Sequence, residues 1–477
     1  MGIVDVVLIN SPIILYESED ERKQYSSHGG DEVSYYPLGI LYIASYLEQE
    51  GHSVAIIDVS AEGLTLPQVL AKVDELKPKI VGISTMTTGI QSAIILGKAL
   101  RPKYLVGIGG VHINIDHTFI DRFPYFDFCI IGEGEYTFEK ILKKIKKGNK
   151  TDRIYYGQTV ENLDDLPFPA RHLINHNLYK REEQFKFEIP AAGILASRGC
   201  PYNCIFCCIP NRGKKVRFRS AKNIVDEMES LYETCQGNYS FVDDCFTINR
   251  SNTLHLCDEI IKRGLKTRWI ASTRAELLNE SMAYSLSKAG CRELYFGVES
   301  GSERVRNNII GKNLYEGEIK KAVHLCKKYK ILSNFFLMLG HPTETKEEIE
   351  ETIKIGNRAK ADAIGVHITR PMPGSDLFEI AIKEGQVNRT VIDDYASGKL
   401  GKRFRENFPV YVPVGMSKTF LLKMRKRAYR KFYLSPQFIL RRIRIWLTVK
   451  GRFKEDLKLF KIAPGILMRG GSKGQLS

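Results

Sequence analysis

Four cysteines crowd into nine positions, Cys200, Cys204, Cys207 and Cys208, while the other six of the chain's ten are scattered singly. Cys200-Pro-Tyr-Asn-Cys204-Ile-Phe-Cys207 is a C-x3-C-x2-C loop. Three thiolates on one short loop can hold three irons of a four-iron cluster and leave the fourth iron open to a ligand. A zinc site with Cys208 as fourth ligand is the plainer alternative, but structural zinc sites usually pair their ligands at two separate places. Cys208, adjacent to Cys207, reads more simply as a packed or idle thiol. Cys129, Cys235, Cys245, Cys257, Cys291 and Cys326 read as small buried hydrophobes.

The elements that must position this loop alternate between strand and helix. Apolar runs at Ile194–Ser197, Tyr239–Val242, Arg268–Ser272, Glu293–Val298, Ser333–Leu339 and Ala363–Ile368 suit buried parallel strands. Helical patterns separate them, among them Ala221 to Tyr232, Thr345 to Arg358 and Ser375 to Glu384. Six such units are too few for an eight-fold barrel, so an open, partial (β/α)6 TIM barrel is expected over 191–385.

Ahead of it, strands are predicted at Val4–Ile9, Val54–Val59, Ile80–Ser84, Leu105–Gly109 and Phe128–Ile131. Helices are expected at Leu38–Glu50 and Ile90–Leu100, giving a Rossmann-like α/β sheet over 1–149. Its strand ends carry small residues that let a large ligand approach the backbone. These ends are Ser84-Thr85-Met86-Thr87-Thr88, Gly109-Gly110-Val111-His112 and Gly132-Glu133-Gly134. Residues 150–190 read as an irregular linker, and 386–477 as a basic, mostly helical C-terminal region.

The chain has 477 residues, 43% hydrophobic and 26% charged, which excludes wholesale disorder. Its net charge of +16 is not evenly spread. From Gly401 onward there are 20 Lys and Arg against 3 Asp and Glu, so the body is near neutral. A stripe of Leu421, Met424, Ala428 and Phe432, then an apolar-basic stretch Gln437–Val449, makes an amphipathic pair over 418–450. That pair either lies on an anionic membrane surface or packs on the barrel with its charges solvated. Nucleic-acid binding through it is the least favoured reading. No apolar run is long enough to span a bilayer and no secretory signal is legible, so the expectation is cytoplasmic, with peripheral contact at the inner face of the membrane as the added possibility.

The Cys200–Cys207 loop, with Phe206 before its last cysteine, resembles the signature of the radical S-adenosylmethionine (SAM) enzymes. Later strand ends agree: Asp243-Asp244, Arg274, Glu299-Ser300, the Gly340–Thr345 turn, and Pro371-Met-Pro-Gly374. The resemblance implies a [4Fe-4S] cluster on Cys200, Cys204 and Cys207. It also implies SAM contacts at Phe206, Asp243, Asp244, Arg274, Glu299, Ser300 and Gly340. The front domain and Leu163-Asp-Asp-Leu-Pro-Phe-Pro169 resemble the cobalamin-binding subgroup of that family. Its cofactor contacts would be Ser84, Thr85, Met86, Gly109, Gly110, His112, Gly132, Glu133 and Gly134. The D-x-H-x-x-G motif that supplies a lower cobalt ligand is absent, as is common in the subgroup. A nucleotide-binding or vestigial front domain is the competing reading. The methylthiotransferase arrangement, which needs three front-domain cysteines, is excluded by the presence of Cys129 alone.

The activity so implied is reductive cleavage of SAM to a 5′-deoxyadenosyl radical and methylation of an unactivated carbon through methylcobalamin. The substrate would be a small or lipid-like molecule, and the electrons would come from a low-potential donor of flavodoxin or ferredoxin type. Two rivals remain: a radical SAM cyclase or oxidase working without methyl transfer, and a non-catalytic corrinoid-binding regulator or scaffold.

Overall fold

The computed structural model describes residues 4–27, 36–179, 191–208 and 215–448. They form two compact units, Met1–Lys180 with Asn388–Phe408, and Arg181–Val387 with Pro409–Ser477.

The first unit is built on β1 (Val6–Asn10), β2 (Val54–Asp58), β3 (Ile80–Ser84), β4 (Leu105–Gly109), β5 (Phe128–Ile131) and β6 (Ile154–Tyr156). All pair in parallel in the order β2-β1-β3-β4-β5-β6. The near-continuous apolar strands reflect burial on both faces. Val6, Leu8 and Ile80 pack with Leu47, Phe138 and Leu142 from the helices Leu38–Gln49 and Glu135–Lys146. Strand β6 lies in the segment read as irregular linker; three residues, Ile-Tyr-Tyr, are too short to show a period.

Asn388–Phe408 also belongs to this unit. Buried Tyr395 donates its hydroxyl to the Thr88 carbonyl (2.7 Å), and Arg122 pairs with Asp393 (2.9 Å). No sequence signal marks this return.

The second unit holds β7 (Ala192–Ile194), β8 (Ser197–Arg198), β9 (Arg217–Phe218), β10 (Asn238–Phe241), β11 (Arg268–Thr273), β12 (Cys291–Glu299), β13 (Leu332–Leu339) and β14 (Ala363–Ile368). Six strands form the parallel sheet β14-β13-β12-β11-β10-β7, and β8 and β9 pair as a separate antiparallel ribbon. This is the open partial barrel expected, with its first strand beginning two residues earlier and ending sooner than the apolar run suggested.

An open barrel leaves two edges, and exposed edge backbone recruits unwanted partners. The helix Lys418–Tyr433 covers one of them. Its stripe Leu421, Met424, Ala428 and Phe432 is buried in the barrel core, so this helix packs on the unit rather than offering an apolar face. Tyr429 and Tyr433 lie one turn apart, and their hydroxyls accept the Val366 (2.9 Å) and Ile364 (3.3 Å) amide N–H of β14. Two phenols thus substitute for the missing strand. Replacing Tyr429 with Phe leaves a buried N–H unpaired at a cost of about 1–3 kcal/mol. Amide exchange at Val366 is expected to accelerate by roughly five- to a hundredfold, measured by hydrogen exchange with mass spectrometry; unchanged exchange would contradict the edge role.

Candidate functional site

The cysteine loop follows β8 through Gly199 and is met by two neighbouring segments. Ile205 donates its amide to Ile310 O (3.2 Å) and accepts at its carbonyl from the Leu377 amide (2.8 Å), while Cys207 N–H closes onto Cys204 O (2.9 Å). Of the ten cysteines, only Cys200, Cys204, Cys207 and Cys208 are not buried. The six others are inert core thiols, as expected. Among the described residues, no three His, Cys, Asp or Glu side chains gather around a single-ion site. Burial pushes the Cys200 and Cys204 thiols up, and the cations of Arg274 and Lys312 oppose it.

Arg274 is braced rather than free. Its guanidinium lies 3.7 Å over the Tyr202 ring, Nη1 stands 4.0 Å from Cys204 Sγ, and the rest bonds Glu276 and Lys312 O. The two aspartates after β10 divide their work. Asp243 is buried and accepts from Ala196 N–H (3.2 Å) and Ser197 Oγ (2.6 Å), tying β10 to the chain entering the cysteine loop. Burial pushes its carboxyl up to about 6. Asp244 is the exposed member.

Glu299 ends β12 beyond a register shift, with φ +65°, a left-handed position that costs a non-glycine residue about 1 kcal/mol or more. Strain of this kind concentrates at functional sites. Its Oε1 accepts from Lys312 Nζ at 2.9 Å, deep in the unit. Ser300 is committed to the loop itself: Oγ meets Thr352 Oγ1 (3.0 Å), and its carbonyl accepts from buried Arg306 (2.7 Å).

At the end of β13, Gly340 (φ +92°) begins a turn closed by Glu344, whose Oε2 accepts the amides of Gly340 (2.6 Å) and His341 (3.0 Å). Burial pushes Glu344 up to about 7 and His341 down to about 3, so this imidazole is neutral. His341 stands 6.4 Å from the Phe206 ring, and neither of its ring nitrogens finds a partner among the described residues. Polar atoms buried without partners are costly, so this pair of nitrogens fits a site that a polar heterocycle completes.

In the first unit, the named glycines surround the ends of β3, β4 and β5. Gly110 has φ +100°, and a Cβ there would lie 2.6 Å from Thr85 O, so only glycine lets these two loops touch. Gly132 donates to Asn114 Oδ1 (2.6 Å), Glu133 accepts from Val160 N–H (2.6 Å), and Gly134 opens the helix Glu135–Lys146. Ser84 and Gly109 are half-buried strand ends, Thr85 is buried, and Met86 is 56% exposed. His112 is fully buried, bonded through Nδ1 to Thr87 Oγ1 (3.2 Å) and edge-on to Phe119. Burial lowers it to about 4, so it is neutral. His112 Nε2 and Thr88 Oγ1 lack partners among the described residues, which suits a ligand carrying many amides.

Sequence reasoning missed Tyr202, Ser197, Arg306 and Lys312. Each lies in a loop or beside one, where nothing in a single sequence separates a buried polar residue from a solvated one.

Residues 194–355 match the Radical SAM superfamily model, and residues 32–142 match the B12 binding domain model. The chain is 30% identical over 431 residues to an uncharacterized methyltransferase of Pyrococcus horikoshii, covering 85% of this chain and 90% of that one. It is 26% identical to the anaerobic magnesium-protoporphyrin IX monomethyl ester cyclase of Rubrivivax gelatinosus, over 86% of this chain and 76% of the relative. The fold resembles that of the radical S-adenosylmethionine methyltransferase TsrM of Kitasatospora setae, solved with cobalamin and a [4Fe-4S] cluster, at TM-score 0.63 and 19% identity, covering 81% and 76% of the two chains.

The Glu344 carboxyl gives a test of the turn. Its folded pKa of about 7 lies above the unfolded value of 4.5. Its contribution is therefore fully present below pH 4.5 and is lost as pH rises to about 7, a difference of order 3 kcal/mol. Glu344→Gln keeps an acceptor without the charge. Its thermal midpoint is expected to fall less than the wild type's between pH 5 and pH 8; parallel pH profiles would refute this.

Proposed function

Because this chain belongs to the radical SAM enzymes that carry a B12-binding domain, we propose that it methylates an unactivated carbon of a small or lipid-like molecule. Its cofactors are a [4Fe-4S] cluster, SAM and cobalamin. When bound, the cluster delivers the electron that splits SAM into methionine and a carbon radical, and the corrinoid supplies the methyl group.

The observation that carries this reading is the loop of half-exposed thiols flanked by buried cations, in a chain whose other cysteines are all buried. Cys200, Cys204 and Cys207 hold the cluster. Exposed Asp244 receives the SAM ammonium, and Asp243 fixes the strand end that presents it. Glu299 orients the polar end of SAM, the Ser300 loop supports Glu299, and Arg274 secures the cysteine loop. Phe206, the Gly340 turn and the idle nitrogens of His341 receive the adenine. In the first unit, Ser84, Thr85, Met86, Gly109, Gly110, Gly132, Glu133 and Gly134 form the corrin contacts, and His112 holds Thr87 in place.

Anaerobic, cluster-reconstituted protein given cobalamin, SAM, a low-potential reductant and host extract should form 5′-deoxyadenosine and S-adenosylhomocysteine together, quantified by mass spectrometry. Cys204→Ala should reduce both to background. Deoxyadenosine alone would favour cyclisation or oxidation without methyl transfer, and the Rubrivivax relative is a cyclase. Full biological function in Cys204→Ala would revive the non-catalytic reading. In the cell, the reductant is a flavodoxin or ferredoxin.

A peripheral membrane position at the cytoplasmic face accompanies this reading, and one segment supports it. The helix Pro436–Thr448 turns Ile439, Leu440 and Ile443 outward, 43%, 66% and 39% exposed. Its Arg441 and Arg442 instead bond inward to the carbonyls of Ala361 (2.5 Å) and Asp362 (3.2 Å). Exposed Lys423, Lys426, Arg427 and Arg430 lie on the preceding helix. An outward apolar face beside basic charge suits an anionic bilayer. Among the described residues, no helix is long and apolar enough to cross one. Replacing Ile439, Leu440 and Ile443 together with Ser should abolish co-sedimentation with phosphatidylglycerol vesicles; wild-type protein that fails to sediment would sink the proposal.

A further inference from the structure

Lys312 is a buried cation beside the cysteine loop to which the assignments above give no role of its own. Only 6% of it is exposed, although lysine is among the side chains most rarely buried. Its neighbours Gly311 (φ +78°) and Asn313 (φ +52°) are both left-handed, so the backbone turns twice within three residues around it. Inside, Nζ donates to Glu299 Oε1 (2.9 Å) and to the Gly297 carbonyl. A Cβ on Gly297 would lie 2.5 Å from both Lys312 Nζ and Glu299 Oε1, so the space for this pair exists only because residue 297 has no side chain.

The same short loop reaches the other parts of the site through its backbone. Lys312 O accepts from Arg274, the residue stacked on Tyr202 and 4.0 Å from Cys204 Sγ. Ile310 O accepts the Ile205 amide, between the second and third cysteines. Arg306, fully buried, clamps the loop by donating to Leu314 O and Ser300 O. Burying an ammonium costs several kcal/mol before pairing, and a hydrophobic residue would close a mere turn at less cost. The charge is therefore explained by what it holds.

We infer that Lys312 is a positioning residue for the SAM end of the site. Its ammonium fixes Glu299 in the left-handed position at the end of β12, and it places a second cation beside Arg274 in the field of the Cys204 thiolate. This rests on the assignment of the cluster and SAM to this unit. A cation near the cluster favours its reduced, more negative state, so losing it makes the cluster harder to reduce.

The test uses the full chain, reconstituted anaerobically, with redox titration followed by electron paramagnetic resonance of the reduced cluster, with and without SAM. For Lys312→Met at wild-type iron content, the midpoint potential should move to more negative values. The SAM concentration that half-converts the cluster signal should rise at least tenfold. Lys312→Arg, which keeps the charge and a donor, should stay within threefold of wild type. Gly297→Ala retains both charges but forces the pair apart, so it should weaken the SAM response while leaving the potential near wild type; this variant carries the test if Lys312→Met fails to fold. Wild-type potential and SAM response in both Lys312→Met and Gly297→Ala would overturn the role. Wild-type protein that holds iron and sulfide but shows no SAM-sensitive four-iron signal would instead overturn the cofactor assignment beneath it.

Discussion

Every strand of both main sheets runs parallel to its neighbours, and this one polarity decides where chemistry can occur. Parallel strands discharge all their carboxyl ends on one side, so the loops that follow them collect there while the opposite loops only connect. Asp243, Arg274, Glu299 and Gly340 follow four adjacent strands, and the cysteine loop follows the fifth. In the first unit, the Thr85, Gly110 and Gly132 loops are neighbours for the same reason. Sequence order thus becomes spatial order, and in the second unit short motifs spread over about 140 residues, from Cys200 to Gly340, become one rim.

That constraint also explains what a single sequence could reveal. Strands buried on both faces announce themselves as unbroken apolar runs, so β3, β4, β5 and β14 fall where the runs fall. The cysteine loop was legible because its spacing has few other uses. Strand β6 carried no comparable signal because three residues show no period, and the return of Asn388–Phe408 to the first unit carried none because its placement is decided by partners far away in the chain. The stripe on Lys418–Tyr433 was legible as amphipathic, but not its target. Only the structure shows that Tyr429 and Tyr433 spend their hydroxyls on β14.

The site itself was half visible. Residue types at strand ends could be named, but not which of them face a ligand and which hold the frame. Asp243 and Asp244 are identical in composition and adjacent in sequence, yet one is consumed by Ala196 and Ser197 while the other is exposed. Burial separates them, and burial is a property of the packed whole. Much of the frame is built from buried polar groups in this way: Arg306, Glu344 and Lys312 each replace a hydrophobic contact with directed hydrogen bonds. Such groups cost more than apolar packing, but they tolerate only one loop geometry.

The return of Asn388–Phe408 also bears on how the protein is made. Ribosomal synthesis delivers the sheet of the first unit early, but Tyr395, which seals the Thr88 carbonyl, emerges only after the entire six-stranded barrel has been translated. The loop after β3 must therefore wait, unsealed, through the synthesis of some three hundred intervening residues. The chain crosses between its units three times, so neither can be released as an autonomous module by one cut in the gene. Maturation of the front unit is thereby coupled to completion of the back one.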